Sequence, residues 1–318
     1  MRFALALALA AGVASSASAQ LIVGNDQTGT TSLYHIDVGT GAATPILTTA
    51  TNETKPWGMA YDPATNTLWW NNGGTLFSAP FNIAGLTVTN HGAMTFNAAS
   101  INFVALGWYN GQLVGTRNIA TEAVYAIDTT TLQCTQLYVH PSTYDFGGLD
   151  ADVTTGKLYG LTDAAPAPQV RGLYEISVTG MTQTFIAGYP GTETDIDGLA
   201  VHNGLAYYVT DGPNTTQASF YVYDIATGTQ IGTLPSPFTG SGTFCAAAFI
   251  APAGPPACYA NCDGSTITPI LNVNDFICFN NLFAANDPLA NCDGSTTPPT
   301  LNVNDFVCFL NVFGAGCS

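Results

Sequence analysis

A chain of 318 residues with 21 acidic side chains against five Lys and Arg carries a formal charge of −16 at pH 7. So few cations argue against nucleic acid or an anionic membrane surface as partner, since both call for a basic face. The acidity suits cation binding or plain solubility in a salty exterior.

Residues 1–19 read as a signal peptide. Arg2 supplies the positive start, residues 3–13 the apolar run, and Ala17-Ser18-Ala19 the small-residue cleavage site ahead of Gln20. The run is too short to span a bilayer, and no later stretch reaches ~20 apolar residues. Cleavage after Ala19 is therefore expected to yield a secreted or cell-surface protein with no transmembrane segment.

Residues 20–251 read as strands throughout, with turns rich in Gly, Asn, Asp and Thr and no helical periodicity. Four units begin with a small residue, a short apolar run and a turn, at Gly58, Ala105, Gly148 and Gly198, spaced 47, 43 and 50 apart. A period of about 40–50 residues holding four short strands is the pattern of propeller blades. A fifth start at Ala246 lacks its later strands, which the segments at Leu21, Ser32 and Ala43 supply. The expectation is a mainly β chain: a five-bladed β-propeller in which an N-terminal and a C-terminal strand share one blade and close the ring. Small residues at the unit starts fit the crowding of inner strands around an axis.

Just before each start stands a polar residue followed by an apolar one: Lys55-Pro56, Asn102-Phe103, Asp145-Phe146, Asp195-Ile196 and Thr243-Phe244. The apolar members are expected between blades and the polar ones around the channel mouth. Lys55, Asn102, Asp145, Asp150, Asp195 and Asp197 are the candidate mouth site, able to hold a metal or polarise a substrate, or simply to solvate the rim. Four scattered histidines (His35, His91, His140, His202), with no HExxH, no GxSxG and no phosphate-type glycine loop, give no catalytic or nucleotide motif. No catalytic residue is assigned.

Residues 252–257 are a Pro- and Gly-rich linker. Beyond it, residues 258–318 hold one segment written twice, thirty residues apart: NCDGSTITPILNVNDFICFNNLF from Asn261 and NCDGSTTPPTLNVNDFVCFLNVF from Asn291. Oxygen-bearing side chains alternate at the start of each copy, and a carboxylate stands where an apolar-periodic segment begins, as in a calcium loop followed by a helix. Phe276, Phe279 and Phe283, and Phe306, Phe309 and Phe313, lie on one helix face each, with Asn272 and Asn302 as N-caps.

All eight cysteines are in the mature chain, and export permits their pairing. Symmetry pairs Cys262 with Cys278 and Cys292 with Cys308, leaving Cys258 and Cys317 to clasp the module's ends and Cys134 to bridge Cys245 in the propeller.

The paired LNVNDFxCF motifs resemble dockerin modules, of the cysteine-containing, Gly-Cys-ending kind found at the ends of secreted planctomycete-type bacterial proteins. The resemblance covers residues 258–318. It implies a small helical, paired EF-hand-type domain with calcium ligands at Asn261, Asp263, Ser265, Asn272 and Asp275, and at Asn291, Asp293, Ser295, Asn302 and Asp305. It also implies docking onto a cohesin-like or other envelope protein. Each loop is about three residues longer than the usual twelve and offers only two carboxylates, which weakens calcium binding. The functional expectation is a secreted, non-catalytic binding and anchoring protein, with the propeller as recognition surface. The alternative is a tethered propeller enzyme, a hydrolase or lyase acting on extracellular polysaccharide or a lactone.

Overall fold

The protein is described from a computed structural model that covers residues 20–25, 31–48, 55–117, 122–140, 144–210, 219–238, 245–250, 259–263, 269–293, 295 and 298–316. The expected signal peptide, the linker, Ser265, Cys258 and Cys317 lie outside these residues. Two compact units divide the chain, Met1–Pro252 and Ala253–Ser318.

The first unit is built of five four-stranded antiparallel sheets. In chain order, β1 (Gln20–Asn25), β2 (Thr31–Asp37) and β3 (Ala43–Thr48) form the outer part of the first blade. The second blade is β4 (Gly58–Asp62), β5 (Thr67–Asn72), β6 (Thr75–Pro80) and β7 (Thr89–Ala93). A small hairpin of β8 (Thr95–Phe96) and β9 (Ala99–Ser100) follows, turned by Asn97 and Ala98 at positive φ. The third blade is β10 (Ala105–Tyr109), β11 (Gln112–Thr116), β12 (Ala123–Ile127) and β13 (Cys134–Val139). The fourth is β14 (Asp145–Asp152), β15 (Lys157–Ala164), β16 (Gly172–Ser177) and β17 (Thr182–Gly188). The fifth is β18 (Gly198–His202), β19 (Leu205–Val209), β20 (Ser219–Asp224) and β21 (Thr229–Pro235). Last, β22 (Cys245–Ile250) pairs with β1, from Gln20↔Ile250 to Asn25↔Cys245, as the inner strand of the first blade.

The inner strands β4, β10, β14, β18 and β22 contact one another in a closed ring of five. At Gly58 their approach leaves no room for a side chain. A Cβ on Gly58 would stand 2.4–2.7 Å from the backbone of Ala105 and Leu106. A small cavity lies between Gly58, Ala105, Gly147, Asp197 and Ala246, where the inner strands meet.

Successive side chains of each strand point to opposite faces, and here both faces are covered. Leu21 and Val23 pack toward the fifth blade with Tyr207 and Phe220, while Ile22 packs toward the second with Met59 and Trp70. Three more clusters fill the remaining gaps, centred on Phe103, Phe146 and Leu199. Burial on both faces explains why the strands read as apolar runs and not as alternation. Phe103 and Phe146 are fully buried and belong to the core between blades.

Many acids are turn-formers. Asp62, Asp128, Asp152 and Asp224 each accept a backbone N–H two or three residues on, at 2.8–2.9 Å. The expected Cys134–Cys245 bridge is corrected: Cys134 is a free, buried cysteine, its thiol pushed up to about 11 by burial. It begins the outermost strand of the third blade, whereas Cys245 begins an inner strand. Three strand spacings of ~4.8 Å exceed the ~7 Å Cα reach of a disulfide.

The second unit holds α1 (Val273–Ala284) and α2 (Val303–Ala315), with a short 3-10 turn over Pro288–Ala290 between them. Phe279 and Phe309 are buried and stacked at 4.3 Å, each also meeting the other helix's Phe306 or Phe276 edge-on. The two symmetric disulfides are present, Cys262–Cys278 and Cys292–Cys308, each with Cα atoms 5.7 Å apart. So small a core needs such staples. Among the described residues no helix is long and apolar enough to cross a membrane.

Candidate functional site

The polar residues ahead of the inner strands do not form one ring. Asp145, at the start of β14, is hydrogen-bonded to the Glu122 carboxyl, which stands just before β12 in the neighbouring blade. Glu122 is 4% exposed, and its Oε2 also accepts the Phe146 N–H at 3.0 Å. Burial first of all, then the bond to Asp145 and the charges of Asp145 and Asp163, push Glu122 up to about 9, against the opposing pull of the Phe146 N–H. A carboxyl so deeply buried favours its neutral form.

Asp163 and Asp195 complete the cluster. Burial and the Asp145 charge raise both, Asp163 to about 6, and Arg171 offsets part of the rise in each. Asp163 Oδ1 is buried with no hydrogen-bond partner. Of the cluster, Asp163 borders a cleft of about 670 Å³, lined also by Gln169, Arg171, Tyr189 and Glu193. The cleft is acidic, with an exposed guanidinium and a tyrosine whose hydroxyl donates to the Ile196 carbonyl at 3.2 Å.

Of the six expected mouth residues, Asp145 and Asp195 are brought together. Asp197 lines the axial channel against Gly147. Lys55 is 1% exposed, and its carbonyl accepts from Asn72 Nδ2 at 2.9 Å. Asn102 is exposed beside the Gly73–Gly74 turn of the second blade. Neither lines the cleft. Asp150 is corrected: it lies five residues further along β14, ~16 Å away at the other end of the strand. There its Oδ2 accepts the Val201 N–H at 2.7 Å and its Oδ1 the Ala151 N–H at 2.8 Å, so it ties the fourth blade to the fifth. Burial pushes it up to about 8.

Glu122, Asp163, Arg171 and Tyr189 were not picked out from the sequence. The signal was present in the strand order: an antiparallel partner of β14 must end where β14 begins, which puts Asp163 near Asp145. The register Asp145↔Ala164 realises this. Glu122 has no such cue, because its approach depends on how two blades pack.

In the tail, each expected ligand has a definite place. Asn272 and Asn302 are N-caps, their Oδ1 atoms accepting from the Asn274 and Asn304 N–H at 2.8 and 2.9 Å. Asp275 and Asp305 are fully buried capping-box carboxylates. Asp275 accepts from Asn272 N at 2.8 Å and Asp263 N at 3.2 Å, and Asp305 from Asn302 N at 2.7 Å and Asp293 N at 3.2 Å. Asn261 and Asp263 open the first loop. In the second, Asn291 Nδ2 donates to the Ser295 carbonyl at 2.8 Å, and Ser295 Oγ donates to the Thr300 carbonyl at 2.8 Å.

The second loop fits a hard cation. Asn291 Oδ1 is buried with no hydrogen-bond partner, and the Asp293 and Asp305 side chains meet in the same loop. An unsatisfied amide oxygen and two facing carboxylates are an oxygen donor set of the kind calcium takes. Among the described residues no group of three or more His, Cys, Asp or Glu is placed to hold a metal. A cation here would therefore depend on amide, hydroxyl or backbone oxygens as well.

No known protein family matches the chain, and no curated protein matches it. Among solved structures, a chain of the crystal structure of a nidogen/laminin complex is similar at 9% identity and a TM-score of 0.49. The likeness covers 74% of this chain and 99% of that one. At that level it bears on neither fold nor function, and the propeller rests on the strand order itself.

Proposed function

We propose that this is an exported binding and anchoring protein: the propeller recognises a ligand at its carboxylate cleft, and the calcium-binding, disulfide-stapled tail is a dockerin-like attachment module. The observation that carries the reading is the duplicated loop and helix of the tail. The same cap, buried carboxylate and disulfide recur in both copies, and the second leaves Asn291 Oδ1 without a partner. Asn291, Asp293, Ser295 and Asp305 would hold the cation in one loop, and the matching residues Asn261, Asp263, Ser265 and Asp275 in the other. When bound, calcium supplies positive charge that holds the loop oxygens together. The partner is a cohesin-like or other envelope protein.

The test compares the full mature chain with one ending at Pro252 for co-sedimentation with envelopes of the producing cell. The full chain is expected to be retained and the shortened one released. Equal behaviour of the two would end the attachment reading.

A second reading has one observation in its favour. The Glu122 carboxyl held in its neutral form beside Asp145 and Asp163, the last of which borders a cleft of about 670 Å³, resembles the carboxyl groups a hydrolase or lyase uses to deliver and remove protons. Turnover of an extracellular polysaccharide or lactone that Asp145→Asn abolishes, with folding intact, would establish it.

A further inference from the structure

We infer that each disulfide, together with the carboxylate capping its helix, closes its loop before any cation arrives, so that the tail keeps both helices without metal. The inference rests on calcium as the loops' cation, and reverses the usual order in which such a unit is assembled by its ion.

A cation in a loop-and-helix unit works by drawing the oxygens at the loop's start to the carboxylate at the helix's start. In this chain those two walls are already joined. Cys262 stands between Asn261 and Asp263, the loop's first two oxygen-bearing residues, and Cys278 lies three positions beyond Asp275 on α1. Cys292 and Cys308 repeat the arrangement around Asn291, Asp293 and Asp305, with the same Cα separation of 5.7 Å. The bridge thus spans the gap the cation would span.

The closing carboxylates do not wait for metal either. Each oxygen of Asp275 and of Asp305 accepts a backbone N–H, one from the N-cap and one from across the loop. A metal-free carboxylate buried without partners would be costly, and these have partners. The Phe279–Phe309 stack then buries the helix faces against each other. Two carboxylates per loop give a cation a weak hold, so a closure that left everything to it would be fragile. What remains for the cation is local: the Asn291 oxygen and the Asp293 carboxylate.

Hydrogen exchange of the full mature chain tests this, followed on peptides covering α1 and α2 in EDTA and in millimolar calcium. Both helices are expected to keep their protection in EDTA, within about twofold of the calcium value. Amides of α1 and α2 that exchange freely in EDTA and recover with calcium would overturn the inference. A chain with Cys262→Ser and Cys278→Ser provides the internal comparison. Protection of α1 should become calcium-dependent there while α2, still bridged, stays protected in EDTA. An α1 that remains protected in EDTA, or that calcium cannot restore, would show that bridge and cation are not alternative closures. Calcium uptake measured separately on the unaltered chain distinguishes the two claims. Protected helices with no uptake would leave the metal-free closure standing and remove the calcium reading.

Discussion

The Glu122 carboxyl accepts the Phe146 N–H while lying against Asp145, so the mouth between the third and fourth blades is held by a group that favours its neutral form. Its folded pKa, about 9, lies above the ordinary 4.5, so its stabilising contribution is complete below pH ~4.5 and is lost as pH rises toward 9. Asp150, pushed up to about 8, acts in the same direction. His140 opposes them at the acid end: burial lowers it to about 4, so its contribution is present above pH ~6.5 and lost as pH falls through 4. Thermal unfolding should therefore show stability declining from pH ~5 to ~9, with Glu122 contributing up to about 1.4 kcal/mol per pH unit. Glu122→Gln should flatten this limb; an unchanged slope would contradict the assignment. Asp150→Ala strands the buried Val201 N–H and should cost about 1–3 kcal/mol in a denaturant titration, with no effect on the cleft at the other end of β14.

At the scale of elements, the inner strands and the tail helices make opposite demands on glycine. Gly58→Ala forces a Cβ into the backbone of Ala105 and Leu106 and should destabilise the propeller by about 1–3 kcal/mol. Gly314, inside α2 with open space where a Cβ would go, should accept alanine with a gain of about 0.5–1 kcal/mol. Phe309→Ala removes one half of the central stack and should cost about 3–5 kcal/mol, seen as lost protection of both helices. These elements were legible because their chemistry is local. A small residue, an apolar run and a turn announce an inner strand, and Asn-x-x-Asp before a phenylalanine period announces a capped helix. The β8–β9 hairpin was not legible, since two-residue strands carry no period. The Cys134–Cys245 pairing failed because sequence shows that two cysteines exist, not that one sits on an outer strand and the other on an inner one.

For the whole molecule, five blades could be counted from spacing, but the cleft could not. Asp163 and Arg171 border it, and the carboxyls that act on Asp163 come from Asp145 of the same blade and Asp195 at the start of the next, a convergence that depends on packing between sheets. The tail's chemistry was legible because it is written twice in one contiguous stretch. Its cap and carboxylate, however, serve backbone N–H groups as well as any ion, which only the geometry reveals. The most direct test is calcium titration of residues 20–318 by calorimetry. Uptake of one ion per loop is expected, with a dissociation constant of about 10⁻⁴–10⁻³ M, the range of extracellular calcium modules. Asp293→Ala should remove the second-loop ion and leave the first. No uptake by either loop, or uptake that Asp263→Ala and Asp293→Ala together leave unchanged, would contradict the calcium reading.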